Sequence, residues 1–162
     1  MSAAAAEHAA DDPGTYVHAT ALIIGEAGIL IRGPSGSGKS RLALELLAEA
    51  KRRGVFARLV GDDRVGVLAR GGRLLVRGHP QIAGQIESRG EGILQLGCES
   101  AALVRLIVDV GGTPATVPAR MPQLQTARTC LGGIDLPRLA LDGPEPHHAG
   151  IVLDYLWRMR NG

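Results

Sequence analysis

The chain contains the segment Gly33-Pro34-Ser35-Gly36-Ser37-Gly38-Lys39-Ser40, which matches the pattern GxxxxGK[ST]. An apolar strand is predicted before it at residues 28–32, and the three- and four-residue spacing of apolar side chains predicts a helix at 40–53 after it. Glycines at such a junction let backbone N–H groups converge on an anion at the start of the helix. All eight residues are therefore predicted to form a phosphate-binding loop, in which Lys39 contacts the phosphates and Ser40 binds Mg²⁺.

The remaining patterns predict a mixed sheet around this loop. Strands are expected at residues 16–24, 55–60 and 103–110, and Gly71-Gly72 joins the apolar runs 65–70 and 73–77 as a β-hairpin. Gly54 is expected to end the first helix, and a second helix at 149–160 is expected to pack Trp157 against the body. Residues 111–146 are rich in Gly, Pro and Thr and stay unassigned.

These elements predict an α/β fold with a P-loop-containing mixed β-sheet core and flanking helices. The length of 162 residues suits a single domain, expected at residues 15–162 after a flexible leader at 1–14. A net charge of +2 does not indicate a nucleic-acid partner. Cys98 and Cys130 do not suggest zinc or a disulfide framework, and no signal peptide or membrane span is evident. We therefore expect a cytoplasmic protein.

Two acidic sites could act beside the bound phosphate. Asp109 ends the apolar run 106–109, which is the Walker B pattern of many nucleotide hydrolases. Asp62 and Asp63 end the strand that follows the phosphate-loop helix, and a short parallel crossover is expected to place that strand beside the phosphate-loop strand. One carboxylate of this pair could hold metal while the other accepts a proton from an attacking hydroxyl. The alternative is an Asp-Asp-Arg turn that caps a hairpin.

A third cluster of polar residues lies at 86–93, with the sequence Ile-Glu-Ser-Arg-Gly-Glu-Gly-Ile. Its alternating charges and two glycines predict a loop that shapes a polar site. A solvated surface turn is the alternative interpretation.

In this order the three motifs resemble the kinase domain of the HPr kinase/phosphorylase family. That family has a P-loop and helix, then an Asp-Asp pair, then a signature similar to Leu-Glu-Ile-Arg-Gly-Leu-Gly-Ile. Here the corresponding segments are 33–40, 61–65 and 86–93, and His18 stands upstream of the P-loop where the family keeps a histidine. The resemblance covers about residues 16–110.

The resemblance implies that ATP phosphorylates a serine of an HPr-type phosphocarrier protein and that inorganic phosphate can reverse the reaction. By position, Asp63 would be the base for the acceptor serine and the acid for the reverse reaction, and Lys39 would hold the transferred phosphate. Ser40 and Glu87 would bind Mg²⁺, with Asp62 as a further metal ligand.

The resemblance also implies that His18 assists at the catalytic centre, with Arg120 as a possible counterpart of a family arginine. A half-buried strand histidine is the alternative for His18. Asp109 is then a strand-end residue without a catalytic role. The family assembles as a hexamer, so a homo-oligomer is expected, with no nucleic-acid or membrane partner.

Three departures from the family pattern qualify these expectations. At most about fifteen residues precede the kinase core, where the family commonly has another domain, so a short form is expected. The residues around Arg120 do not match the family. The C-terminal family run similar to Val-Arg-Pro-Gly-Arg-Asn is replaced at 143–148 by Gly-Pro-Glu-Pro-His-His, which lacks both arginines. The sequence therefore predicts retained kinase activity and weak or missing phosphorolysis.

Two other functions remain open from the residues alone. One is a P-loop kinase for a small molecule, or a nucleotide hydrolase, with Asp109 as the metal ligand. The other is a non-catalytic regulator that senses nucleotide. The presence of Lys39, Asp63 and Glu87 argues against a pure sensor, because a sensor has no use for a base.

Overall fold

The computed structural model describes residues 14–111, 127–142 and 145–162. In these ranges the chain forms eleven strands, two α-helices and a short 3₁₀ turn. In chain order they are β1 (Thr15–Val17), β2 (Thr20–Ile24), β3 (Ala27–Arg32), α1 (Lys39–Arg52), β4 (Ala57–Gly61), β5 (Val65–Arg70), β6 (Arg73–Gly78), the 3₁₀ turn (Pro80–Ile82), β7 (Gln85–Ser88), β8 (Gly92–Gln95), β9 (Ala101–Val110), β10 (Arg128–Leu131), β11 (Ile134–Leu141) and α2 (His148–Asn161). Neither helix has the length and apolar character needed to cross a membrane.

Nine of these strands form one sheet. Its main order is β1-β5-β6-β9-β3-β2-β4, and β11 pairs with both β9 and β10. The β3–β9 and β9–β11 pairs are parallel, whereas the other neighbours are antiparallel. The predicted mixed-sheet α/β fold with flanking helices is confirmed.

The phosphate loop connects β3 to α1, as the sequence predicts. β3 is almost entirely buried because β2 lies on one side of it and β9 on the other. Helix α1 packs on the sheet through the apolar positions Leu42, Ala43, Leu46 and Ala50. Its boundaries are one residue earlier at each end than predicted.

The predicted end of α1 and the predicted hairpin are both present. Gly54 has a φ of 69° and donates its N–H to the Lys51 carbonyl, while the Val55 N–H reaches the Ala50 carbonyl. This pair of bonds is a Schellman motif, which requires a left-handed residue after the helix. Gly71 and Gly72, with φ of 59° and 74°, form the two-residue turn between β5 and β6.

The predicted position of β4 beside the phosphate-loop strand is wrong. A turn at Gly25-Glu26 folds β2 back against β3, with Ile24 opposite Ala27, so that β2 occupies this edge of β3. β4 therefore pairs with β2 and lies one strand further out. Consecutive strands usually lie side by side, so this local hairpin takes the place that the predicted crossover would have given to β4.

Three further expectations need correction or completion. Residues 16–24 form two strands, interrupted at His18-Ala19, and the first of them pairs with β5. Trp157 is 67% exposed and lies outside the core, into which α2 packs through Ala149, Val152, Leu153 and Tyr155. The unassigned region contains the β10–β11 hairpin, whose second strand extends the sheet beside β9.

Candidate active site

The phosphate loop has the backbone shape expected of an anion site. Gly36 and Gly38 adopt left-handed φ angles of 78° and 100°. A Cβ on Gly33 would lie 2.3 Å from the Val110 carbonyl oxygen, so only glycine fits there. The residue before α1 is Gly38, which has no side chain that could cap the helix, and the first turn of α1 carries no acidic residue. The N–H groups that begin α1 thus fit phosphate, which a helix N-terminus attracts.

Lys39 lies over this loop. Its side chain is buried, and Nζ donates hydrogen bonds to the carbonyl oxygens of Gly33 at 2.9 Å and Pro34 at 3.0 Å. Burial lowers the pKa of Lys39, while the charges of Asp62 and Asp63 act in the opposite direction. The Lys39 ammonium group is therefore close enough to the carboxylates of Asp62 and Asp63 for their charges to affect its pKa.

Asp62 connects three elements at the loop. Its buried carboxylate accepts hydrogen bonds from Thr20 Oγ1 at 2.7 Å, from Ser40 Oγ at 2.9 and 3.0 Å, and from the Glu87 backbone N–H at 3.3 Å. These partners belong to β2, α1 and β7. Thr20 is not evident as a site residue from the sequence, where its only signal is a polar residue in an otherwise apolar strand.

The oxygen atoms around Ser40 fit a magnesium ion. Mg²⁺ prefers oxygen ligands and is usually held by one or two carboxylates together with the phosphates of a substrate. The Ser40 hydroxyl and the Asp62 carboxylate are adjacent at the mouth of the phosphate loop, and the exposed Glu87 follows on the strand that Asp62 anchors. These are the three residues predicted to bind metal.

Asp63 differs sharply from its neighbour. It has a φ of 66°, and its side chain is 73% exposed. The Arg64 N–H donates to the Asp62 carbonyl at 2.7 Å, which closes a tight turn after β4. Asp62 therefore points into the fold, whereas the Asp63 carboxylate lies 2.9 Å from Nδ1 of the half-exposed His18. The break between β1 and β2 places His18 here.

Asp109 lies on the strand beside the phosphate-loop strand but is held by two arginines. Arg32 donates to its carboxylate from Nε and Nη2 at 2.8 and 2.9 Å, and Arg138 Nε donates at 2.5 Å. Burial acts to raise the pKa of Asp109, but the hydrogen bonds from Arg32 and Arg138 outweigh it and hold that pKa below its usual range. In this arrangement the Asp109 oxygens hold β3, β9 and β11 together.

The segment 86–93, predicted as a loop, forms the β7–β8 hairpin with a turn at Ser88–Glu91. The Ser88 hydroxyl donates to the Glu91 carboxylate at 2.9 Å across this turn. Arg89 leaves the turn toward the phosphate loop, where its Nη2 lies 3.9 Å from the position that a Cβ on Gly36 would take. No role for Arg89 is evident from the sequence, because Arg89 lies in the turn after β7 and its position depends on how that turn meets the phosphate loop.

The structure therefore brings Lys39, Ser40, Asp62, Asp63 and His18 to one end of the sheet. Arg120 lies outside the described residues, as do residues 1–13 of the predicted leader and residues 143 and 144 of the altered C-terminal run.

The chain is similar in sequence to one family of known proteins. The family model described as "HPr Serine kinase C-terminal domain" matches residues 11–98, more than half of the chain. HPr kinase/phosphorylase of Limosilactobacillus reuteri is 45% identical over 85 residues, which are 52% of this chain and 25% of that protein. The enzyme of the same name from Mycoplasma mycoides is 37% identical over 84 residues, again 52% of this chain and 25% of that protein. The chain thus matches about a quarter of the length of these curated relatives.

A solved structure shares the fold across most of the chain. It is that of the Hpr(Ser) kinase/phosphatase from Coxiella burnetii, with a TM-score of 0.72 and 23% sequence identity. The similarity covers 90% of this chain and 96% of that one.

Proposed function

The chain belongs to the family of the HPr serine kinase C-terminal domain, and from this membership we propose that it transfers the γ-phosphoryl group of ATP to a serine hydroxyl of an HPr-type phosphocarrier protein. The observation that carries the proposal is that Asp62 and Asp63, although adjacent, have different surroundings. Asp62 is bound to the phosphate-loop Ser40, and Asp63 is directed outward beside His18. A buried carboxylate and an exposed one at the same strand end suit a metal ligand and a general base.

In the proposed reaction, the phosphate loop binds the phosphates of ATP. The N–H groups of residues 33–40 surround the anion, and Lys39 exchanges its bonds to the Gly33 and Pro34 carbonyls for bonds to phosphate oxygens. Arg89 approaches the same loop from the β7–β8 turn and contacts the negative charge from the other side.

Asp63 then accepts the proton of the acceptor serine. The serine oxygen forms a bond to the γ-phosphorus, the bond from that phosphorus to the bridging oxygen breaks, and ADP leaves with the electron pair. His18 contacts the Asp63 carboxylate and fixes its orientation, so its role is positioning. General-base catalysis of this kind is worth about 10²–10⁴ in rate.

Mg²⁺ would be held by Ser40, Asp62 and Glu87, and when bound it neutralises charge on the phosphates. The same proposal includes a cytoplasmic setting and a homo-oligomer, since both are expected from the family. It also includes weak or missing phosphorolysis, because residues 143–148 contain no arginine to hold inorganic phosphate.

The test is incubation with γ-labelled ATP, Mg²⁺ and the HPr-type protein of the same organism, followed by detection of label on a serine. Asp63→Asn should lower the rate of transfer by about 10²–10⁴ while ATP binding persists. The matched variant Asp109→Asn should retain transfer, provided that it stays folded. Loss of transfer in Asp109→Asn with normal transfer in Asp63→Asn would favour a nucleotide hydrolase or small-molecule kinase instead.

A further inference from the structure

Arg64, the residue after Asp63, has an exposed side chain that lies over an aromatic ring. Its guanidinium carbon is 4.7 Å from the centre of the Tyr16 ring. Among the residues that the structure describes, no carboxylate pairs with Arg64. A guanidinium held over a ring keeps the N–H donors at its edge for other partners. Arg64 is therefore a positioned cation whose hydrogen-bonding edge is open to a second molecule.

The Arg64–Tyr16 pair lies beside the Asp63–His18 pair. Arg64 is bonded to Asp63, so the Cα atoms of these two residues are about 3.8 Å apart. Tyr16 precedes His18 by two residues, which limits the distance between their Cα atoms to about 7 Å. His18 Nδ1 in turn lies 2.9 Å from the Asp63 carboxylate. Whatever molecule reaches the exposed Asp63 carboxylate is therefore brought close to Arg64.

The Tyr16 ring is held in place by a contact on the far side of β5. Tyr16 lies opposite Gly66, and its ring centre is 5.3 Å from that of His79, which follows β6. Because β5 separates β1 from β6, the ring must pass across β5, and Gly66 leaves room for it by having no side chain. His79 Nδ1 accepts the Gln81 N–H at 3.2 Å, which orients the imidazole. The ring is thus a fixed support for Arg64.

We propose that Arg64 binds a carboxylate of the acceptor protein near its target serine, and that Tyr16 positions Arg64 for this contact. The inference rests on the proposed function, since Asp63 can take the serine proton only when the acceptor lies against the strand end that carries Arg64. A guanidinium has only donors, and the two oxygens of a carboxylate match its planar fork with two hydrogen bonds. Arg64 is then a residue that selects the acceptor, and it takes no part in moving the phosphoryl group.

The experiment is steady-state phosphorylation of the HPr-type acceptor of the same organism, with saturating ATP and varied acceptor. Arg64→Ala should raise the KM for the acceptor at least about tenfold and change kcat less than about twofold, because the contact is the same before and during transfer. Arg64→Lys should recover only part of the loss, since lysine cannot form the two-bond fork. Tyr16→Leu should also raise KM, whereas Tyr16→Phe keeps the ring and should not.

Arg73 gives the matched control for the loss of one positive charge. It is exposed at the opposite end of the β5–β6 hairpin, so Arg73→Ala should leave the KM for the acceptor unchanged. Calorimetric titration should give the same dissociation constant for ATP in Arg64→Ala as in the unaltered chain. Thermal melting identifies any variant that has unfolded.

A double-mutant cycle identifies the partner group on the acceptor. Each Asp and Glu of the acceptor is replaced in turn by Asn or Gln. One of these replacements should raise the KM of the unaltered chain about as much as Arg64→Ala does. The same replacement should add little when it is combined with Arg64→Ala, because both changes remove one shared contact.

The possible failures are distinguishable. No transfer by the unaltered chain would overturn the proposed function and this inference with it, whereas normal transfer with an unchanged KM in Arg64→Ala would overturn the inference alone. Weaker ATP binding in Arg64→Ala would assign the arginine to the nucleotide instead. Equal effects of Arg64→Ala and Arg73→Ala, or no single acceptor carboxylate coupled to Arg64, would show diffuse charge attraction and likewise refute the contact.

Discussion

Asp62 and Asp63 are neighbours in the sequence but have opposite surroundings, and this contrast is the basis of the proposed chemistry. Asp62 is buried and accepts bonds from Thr20, Ser40 and Glu87, so its carboxylate is fixed. Asp63 adopts a left-handed backbone that costs of order 1 kcal/mol for a residue with a side chain. That conformation turns its carboxylate to the solvent side, beside His18.

The first prediction concerns Lys39. Its ammonium group binds the loop carbonyls and is the only side-chain cation of residues 33–40. Lys39→Met should raise the dissociation constant for ATP at least about tenfold, because a charge-assisted contact to phosphate is lost. Calorimetric titration with Mg²⁺ and ATP measures this. The exposed Lys51, on the last turn of α1, gives the control Lys51→Met, which should bind ATP normally. Equal weakening in both variants would refute the role of Lys39.

A second prediction concerns Arg89, which lies beside the phosphate loop. If it stabilises charge during transfer, Arg89→Ala should lower the transfer rate by about 10²–10³, the usual effect of removing one such donor. The rate is measured with saturating ATP and HPr-type acceptor. Arg41→Ala removes an exposed arginine that pairs with Glu45 on α1, and it should have little effect. A normal rate in Arg89→Ala would exclude contact with the reacting phosphates.

At the scale of elements, the helix and hairpin ends were predictable where one residue determines the backbone. Gly54 ends α1 and Gly71-Gly72 closes the β5–β6 hairpin because each requires a positive φ. The position of β4 was not predictable in this way, because it depends on β2 occupying the edge of β3. The exposure of Trp157 also depends on which side of α2 packs into the core. Because the chain has few aromatic residues, its single Trp was expected in the core, and that expectation was wrong.

The third prediction concerns the ion cluster that joins β3, β9 and β11. Asp109→Asn leaves Arg32 and Arg138 without a charged partner, so we expect a loss of about 2–3 kcal/mol in the free energy of unfolding. Denaturant unfolding at neutral pH measures it. Asp135→Asn breaks an exposed pair with Arg128 and should cost less than about 1 kcal/mol.

The same cluster predicts a pH dependence of stability. The pKa of Asp109 is lower in the folded chain than its value of about 3.9 in an unfolded one. Its contribution is therefore present at neutral pH and is lost as the pH falls below about 4, through the folded pKa. Asp109→Asn should show a shallower loss of stability over that acid range. An unchanged acid limb would mean that the cluster does not stabilise the fold.

For the whole molecule, the sequence motifs predicted that several polar residues lie near the phosphate loop, although the predicted position of β4 in the sheet was wrong. His18, Lys39, Ser40 and Asp63 come together because each lies at a turn or strand end on the same side of the sheet. Arg89 and Thr20 could not be assigned, since their contacts depend on the distance between separate elements. The residues near the phosphate loop could thus be predicted from the sequence better than the order of the strands that support them.

The fourth prediction concerns the direction of the reaction. Residues 143–148 contain no arginine, so phosphorylated HPr-type protein and inorganic phosphate should release no more pyrophosphate than Lys39→Met does. A coupled pyrophosphate assay measures this under conditions where the forward reaction is active. Phosphate-dependent release that Lys39→Met abolishes would show that other residues hold the attacking phosphate.

The most direct test of the account is a crystal structure of the chain with Mg²⁺ and a non-hydrolysable ATP analogue. The account predicts the γ-phosphoryl group within the loop of residues 33–40, and an Asp63 carboxylate oxygen about 5–6 Å from its phosphorus, the span of one intervening hydroxyl or water. An Asp63 side chain that faces away, beyond that one-molecule gap, would contradict phosphoryl transfer by this base and leave only a nucleotide-binding site.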